Sequence, residues 1–208
     1  GFPWKHPDFY KQNNDEIIRS VRKYPDRLIG FCCLDIYSSG AVAEVERCLR
    51  VLDGGVVVFS GREGVEAQSE TVWRQANKYH VPRLAFINKM DREGADFESV
   101  FQQIKERLDG NPVALQIPVG QGPAHGSDPF SGVIDLVRMK MLTFPGRKEG
   151  RQVLEKAVPE PLVESAAAWR ERLLETLYDF SNELMGLALA EEPIPQELLH
   201  KVLRDATV

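Results

Sequence analysis

Asn88, Lys89 and Asp91 are the residues of this chain whose types and spacing could do chemistry. They stand in the tetrad Asn88-Lys89-Met90-Asp91, directly after the apolar run Leu84-Ala85-Phe86-Ile87. An ionised Asp91 offers two acceptor oxygens. That pair suits the adjacent ring N–H and amino group of guanine, a donor pair that adenine lacks, so the carboxylate discriminates between the bases. Asn88 carries both a donor and acceptors, for the base edge or for a neighbouring loop. Lys89 can lay its aliphatic stem along the base plane while its ammonium stays in water. Four such residues also recur by chance, and the plain alternative is a strand followed by a solvated turn.

The elements around the tetrad decide between those readings. Four apolar residues in a row predict a strand buried on both faces. The polar residues then fall at its carboxyl end, where open α/β sheets place their ligands. Upstream, residues 55–60 read as a buried strand, 61–64 as a loop, and 66–79 as a helix with Val72, Trp73 and Ala76 inward. Pro82 ends that helix and residues 83–88 form the next strand. Asp96 caps a helix over 97–108, with Val100, Phe101, Ile104 and Leu108 on one face. Strand–helix–strand–helix at this spacing predicts an α/β fold with a parallel sheet.

The flanks read differently. Residues 1–11 are aromatic and proline-containing and read as an irregular packed segment. Asn13 or Asn14 caps a helix carrying Ile17, Ile18 and Val21, which Tyr24-Pro25 ends. A buried strand over 27–34, a turn over 37–40 and a helix over 41–52 follow. Beyond residue 111 a strand is predicted over 112–119, then a Gly/Pro-rich loop over 120–129, then one or two antiparallel strands within 130–144. Residues 147–152 read as a charged turn. One long amphipathic helix is predicted over 161–189, with Val163, Ala167, Leu174, Leu177 and Met185 among its apolar positions and Trp169 and Phe180 packing on its buried face. A last helix covers 196–204, with Leu198, Leu199 and Val202 inward.

Composition bounds the function. The 208 residues are 43% hydrophobic and 27% charged, ordinary for a globular chain with one or two cores. A net charge of -5 argues against a surface built wholly for nucleic acid. Three cysteines, two of them adjacent at Cys32 and Cys33, form neither a disulfide framework nor a metal knuckle, and read as reduced thiols of a cytoplasmic protein. No apolar run is long enough to cross a bilayer. Beginning at Gly1 without a methionine, the chain reads as a fragment or a processed product.

Two resemblances follow from longer stretches. Gly1-Phe2-Pro3-Trp4, Asn14-Asp15 and residues 22–31 resemble metal-dependent amidohydrolases of the TIM-barrel type, over about the first fifth of the chain. That resemblance implies one helix and one strand of a barrel, and a zinc-dependent hydrolase as an alternative function. The family's His-x-His pair is absent here, so no metal ligand is carried over. From Glu44 onward the chain resembles translation elongation factor G. Glu44-Val45-Glu46-Arg47, residues 49–54, residues 56–59, Gly64-Val65-Glu66, residues 68–76, and the tetrad with Asp91-Arg92 and residues 94–97 carry it. This implies a partial P-loop-GTPase-like parallel sheet with helices, followed by a small α+β inserted subdomain. The expected organisation is 1–43 amidohydrolase-like, 44–110 partial GTPase domain and 111–208 inserted subdomain.

The resemblance implies GTP or GDP as ligand, with Asn88, Lys89 and Asp91 as nucleotide-binding residues. It implies the ribosome as partner, with a ribosomal stalk protein meeting the acidic residues Glu164, Glu171, Glu175, Asp179 and Glu183. The rest of the machinery is not in this stretch of sequence. No G-x-x-x-x-G-K-[ST] loop occurs, whose N–H groups would cradle phosphates. Residues 34–37, where an Asp-x-x-Gly would hold Mg²⁺, read Leu-Asp-Ile-Tyr, and Ser38 stands where the family has a water-positioning histidine. The expectation is weak base recognition, no Mg²⁺ site, no catalytic residue and no hydrolysis by the chain alone. A non-enzymatic interaction module, or a chimeric fragment, is the other reading.

Overall fold

The computed structural model describes residues 9–23, 47, 54–78, 80–145 and 152–207. The expected strand over 27–34, the turn over 37–40 and the helix over 41–52, apart from the helical Arg47, lie outside the described residues, as does nearly all of the charged turn over 147–152. The elements in chain order are α1 (Phe9–Lys23), β1 (Gly55–Ser60), α2 (Ala67–Lys78), β2 (Arg83–Asn88), α3 (Phe97–Leu108), β3 (Gln116–Val119), β4 (Gly132–Asp135), β5 (Lys140–Thr143), β6 (Leu154–Ala157), a 3-10 turn (Glu160–Leu162), α4 (Val163–Tyr178), α5 (Asn182–Leu189) and α6 (Gln196–Thr207). They divide into two compact units, one holding residues 1–59 and 65–86, the other 60–64 and 87–207.

In the first unit β1 and β2 are paired neighbours. The Gly55 N–H donates to the Pro82 carbonyl at 2.9 Å. At the other end of the ladder, within the second unit, the Gly61 N–H donates to the Asn88 carbonyl at 2.7 Å. Donor and acceptor are 27 positions apart in both bonds (82 − 55 and 88 − 61), the constant offset of a parallel pair. The α/β class with a parallel sheet is therefore as the sequence predicts. Burial is not. Val57 and Phe59 are buried, but Val56, Val58, Leu84 and Phe86 are 40%, 57%, 45% and 55% exposed. The parallel offset places Val56 beside Leu84 and Val58 beside Phe86, so one face of the pair is open. An apolar run alone does not distinguish a strand covered on both sides from one covered on a single side. On the buried side the Phe59 and Trp73 rings lie 6.3 Å apart, and the Arg83 guanidinium sits 4.5 Å over Trp73 while donating to its carbonyl at 3.2 Å. Burial pushes the Arg83 guanidinium below its ordinary value.

Helix α1 also departs from expectation. It starts at Phe9, inside the stretch read as irregular, and Asn14 is a fully buried residue within it rather than a cap. Asp8, directly upstream in the sequence, is a residue type that starts helices and precedes the Asn pair.

The second unit carries a four-stranded antiparallel sheet in the order β3-β4-β5-β6. Gln116 faces Asp135, Ile134 faces Met141, and Thr143 faces Leu154. Two strands emerge in the 130–144 stretch, within the one or two predicted from Val133, Leu136, Met139 and Met141, and Leu136 and Met139 fall in the turn between them. β3 is shorter than the predicted 112–119. β6 is an exposed edge strand with no alternating pattern, so the residues Leu-Glu-Lys-Ala carry no strand signal. It is held to the β4–β5 turn by a bidentate Arg138–Glu155 pair at 2.6 and 2.7 Å. Glu155 holds the Arg138 guanidinium above its ordinary value, and the Glu155 carboxyl is correspondingly lowered.

The predicted single helix over 161–189 is two helices. Phe180 N–H donates to Leu177 carbonyl at 3.0 Å and Ser181 turns extended, its hydroxyl accepting from Leu184 N–H at 3.1 Å. A serine able to cap a helix restarts it rather than continuing it. The redirected α5 buries Leu184 completely, while Val163, Ala167, Phe180 and Met185, expected inward, are exposed. Leu177 and Leu184 lie seven apart, so the apolar period runs through the break and hides it from the sequence. Leu173, Leu177, Leu184 and Leu199 pack with Ile134 of β4 and Leu136 of the turn after it in one core. Arg170 reaches out of α4 to donate to the Leu136 and Val137 carbonyls. Trp169 meets Phe97 and Phe101 edge-on, with ring centroids 5.7 and 5.3 Å away, joining α4 to α3.

Candidate nucleotide-binding site

Asn88, Lys89 and Asp91 lie at the carboxyl tip of β2 and in the turn that follows, all exposed. The chain leaves the strand sharply because Lys89 takes φ 62°, the left-handed region that most side chains avoid. The Asn88 side-chain oxygen accepts from the Lys89 N–H at 2.8 Å, and the Lys89 carbonyl accepts from the Arg92 N–H at 3.1 Å. These bonds fix the turn locally. Met90 is its anchor. Its side chain is buried against Gly61, where any Cβ would come within 2.7 Å of the Met90 sulfur. Its carbonyl accepts from the Gly122 N–H at 2.8 Å, so the loop after β3 is tied to the tetrad.

Asp91 is left free by this arrangement: its carboxylate is exposed and has no hydrogen-bond or ion-pair partner among the described residues. Two acceptor oxygens in the turn after a parallel strand, without a competing donor among the described residues, are available for a ligand with paired N–H groups.

A second set of residues meets the tetrad from the tip of β1. Ser60, the last residue of that strand, donates its hydroxyl to the Glu63 carboxylate. Glu63 in turn lies 4.0 Å from the Lys89 ammonium. The Ser60 bond, ahead of the weaker pull of Lys89, holds the Glu63 carboxyl below the ordinary carboxylate range. Neither Ser60 nor Glu63 stands out in the sequence as a candidate for the site. The signal was the short Gly61–Gly64 loop itself: Gly64 has φ 70°, its N–H donates to the Ser60 carbonyl at 2.9 Å, and the tight turn points Glu63 back over the strand tips. Asp96 closes the arrangement, capping α3 by accepting from the Ser99 N–H at 2.9 Å while its own N–H donates to the Gly61 carbonyl at 2.9 Å.

Among the described residues no group of three or more His, Cys, Asp or Glu side chains comes together to hold a metal. No described helix is long and apolar enough to cross a membrane.

Residues 42–202 match the family described as the elongation factor Tu GTP binding domain. The chain belongs to that family. Elongation factor G 1 of Syntrophomonas wolfei subsp. wolfei (strain DSM 2245B / Goettingen) is 49% identical over 166 residues, which are 80% of this chain and 24% of that protein. The chain thus spans about a quarter of the length of this relative. A crystal structure of a Thermus thermophilus protein shares the fold, with a TM-score of 0.65 at 23% identity, over 81% of this chain and 24% of that one. The resemblance to elongation factor G read from the sequence is borne out. The match to the GTP binding domain family begins at residue 42, and nothing in it supports the amidohydrolase-like reading of residues 1–43.

Proposed function

We propose that this chain carries the guanine-reading part of an elongation-factor-G-like domain and binds GDP and GTP weakly through Asn88, Lys89 and Asp91. The observation that supports this reading best is the Asp91 carboxylate, without a partner among the described residues, in the turn that follows a parallel strand. Asp91 takes the paired N–H donors of guanine, and Lys89 covers the base plane with its stem. The whole factor works in translocation on the ribosome, in the cytoplasm. The partner surface for a ribosomal stalk protein is the acidic side of α4 and α5, where Glu164, Glu171, Glu175, Asp179 and Glu183 are all exposed. On this reading the chain divides by function into 1–43, 44–110 and 111–208, a different division from its compact units.

The 208 residues include no G-x-x-x-x-G-K-[ST] loop, and phosphate and Mg²⁺ contacts supply most nucleotide affinity and nearly all catalytic electrostatics. Base contacts alone give a dissociation constant of roughly millimolar. A titration with fluorescent GDP, run beside a phosphate-release assay, tests this. The expected result is weak saturation that ADP does not match, with phosphate release at the buffer rate. Turnover above buffer, or equal binding of GDP and ADP, refutes it.

A further inference from the structure

We propose that Glu63 is a positioning residue for base recognition, holding the Lys89 side chain in place so that its stem already lies where a guanine ring stacks. This rests on the nucleotide-binding reading above and adds to it a residue outside the tetrad.

The Lys89 backbone, at φ 62°, turns its side chain away from the strand direction and back toward the Ser60–Glu63 turn. Its ammonium ends 4.0 Å from the Glu63 carboxylate. Glu63 is itself held, because the Ser60 hydroxyl donates to it, and the same Ser60 Oγ receives the Arg62 and Glu63 N–H groups at 3.4 and 3.3 Å. Ser60 is fixed by the β1–β2 ladder, whose last bond joins Gly61 to Asn88. A chain of contacts therefore runs from the tip of one strand, through Ser60 and Glu63, to the lysine on the tip of the other. Lysine is among the side chains with the most rotamer freedom to lose on binding, and a ligand that finds the stem already placed avoids that loss. The pair is half exposed, at 53% for Lys89 and 42% for Glu63, so it orients the ammonium without locking it. Arg62, whose guanidinium is 3.9 Å from Glu63 on the outer side, is the only other ion-pair partner of that carboxylate among the described residues.

The test is GDP binding by NMR titration of the wild-type chain, Glu63→Gln, Lys89→Met and the double variant. Glu63→Gln is expected to weaken GDP binding roughly two- to fivefold, as loss of one immobilised, weakly paired side chain does. Lys89→Met weakens it at least as much, and Glu63→Gln on top of Lys89→Met adds nothing further. Ser60→Ala moves affinity the same way by less. The preference for GDP over XDP is unchanged in Glu63→Gln, because Asp91 sets it, and raising salt erases the difference between Glu63→Gln and wild type. A Glu63→Gln chain that binds as wild type, or a loss that adds fully to that of Lys89→Met, overturns this proposal while leaving base recognition standing. A wild-type chain that binds no GDP overturns both.

Discussion

Replacing Asp91 with asparagine is expected to remove the preference for guanine over adenine and to turn it toward xanthine. Guanine presents two adjacent donors, the ring N–H and the amino group, and a carboxylate meets both with acceptors. An asparagine keeps one acceptor and puts an N–H₂ donor against the second guanine donor. Xanthine carries a carbonyl oxygen in place of that amino group and so matches the variant. A well-formed pair of such bonds is worth about a tenfold discrimination or more. Because the Asp91 side chain has no partner among the described residues, the substitution leaves the fold untouched. The readout is the ratio of GDP, XDP and ADP dissociation constants before and after the change. Wild type should favour GDP and the variant XDP; ratios that do not move would reduce the tetrad to a turn.

Trp169→Ala should produce the largest loss of stability, about 3–5 kcal/mol, as truncation of a buried aromatic does. Trp169 is 8% exposed, packs edge-on against Phe97 and Phe101, and carries the Arg172 guanidinium 4.9 Å above its ring. The loss reaches the site because Phe97 opens α3, whose capping residue Asp96 is bonded to Gly61 beneath the tetrad. Urea unfolding followed by circular dichroism gives the number. A decrease below about 1 kcal/mol would mean that the α3–α4 contact is not the clamp its geometry describes.

The part of the chain that reads clearly from sequence is the part where local signals agree. Around the tetrad, the strand bounds 55–60 and 83–88 and the Asp96-capped helix 97–108 come out as predicted, because apolar period, cap and proline all point one way. The misreadings have physical causes. Leu84 and Phe86 look like core residues but lie on an open face, since apolar character does not reveal how many layers a sheet has. Ser181 breaks a helix whose seven-residue apolar spacing continues across the break. β6 is all exposed and its residues carry no strand pattern; its place comes from pairing with β5. Of the proposed site, Asn88, Lys89 and Asp91 stand within four consecutive residues, so sequence alone brings them together. Glu63 comes to Lys89 only through the parallel ladder, and no local pattern announces a contact between residues 26 positions apart (89 − 63).

The most direct test of the account is a ¹H–¹⁵N NMR titration of the chain with GDP, with and without Mg²⁺. The account predicts fast-exchange shifts, saturating near the millimolar range, at the amides of Asn88 to Asp91 and of Ser60 to Glu63, and the same curve in both conditions. Micromolar, magnesium-dependent binding, or shifts that bypass both strand tips, would contradict it.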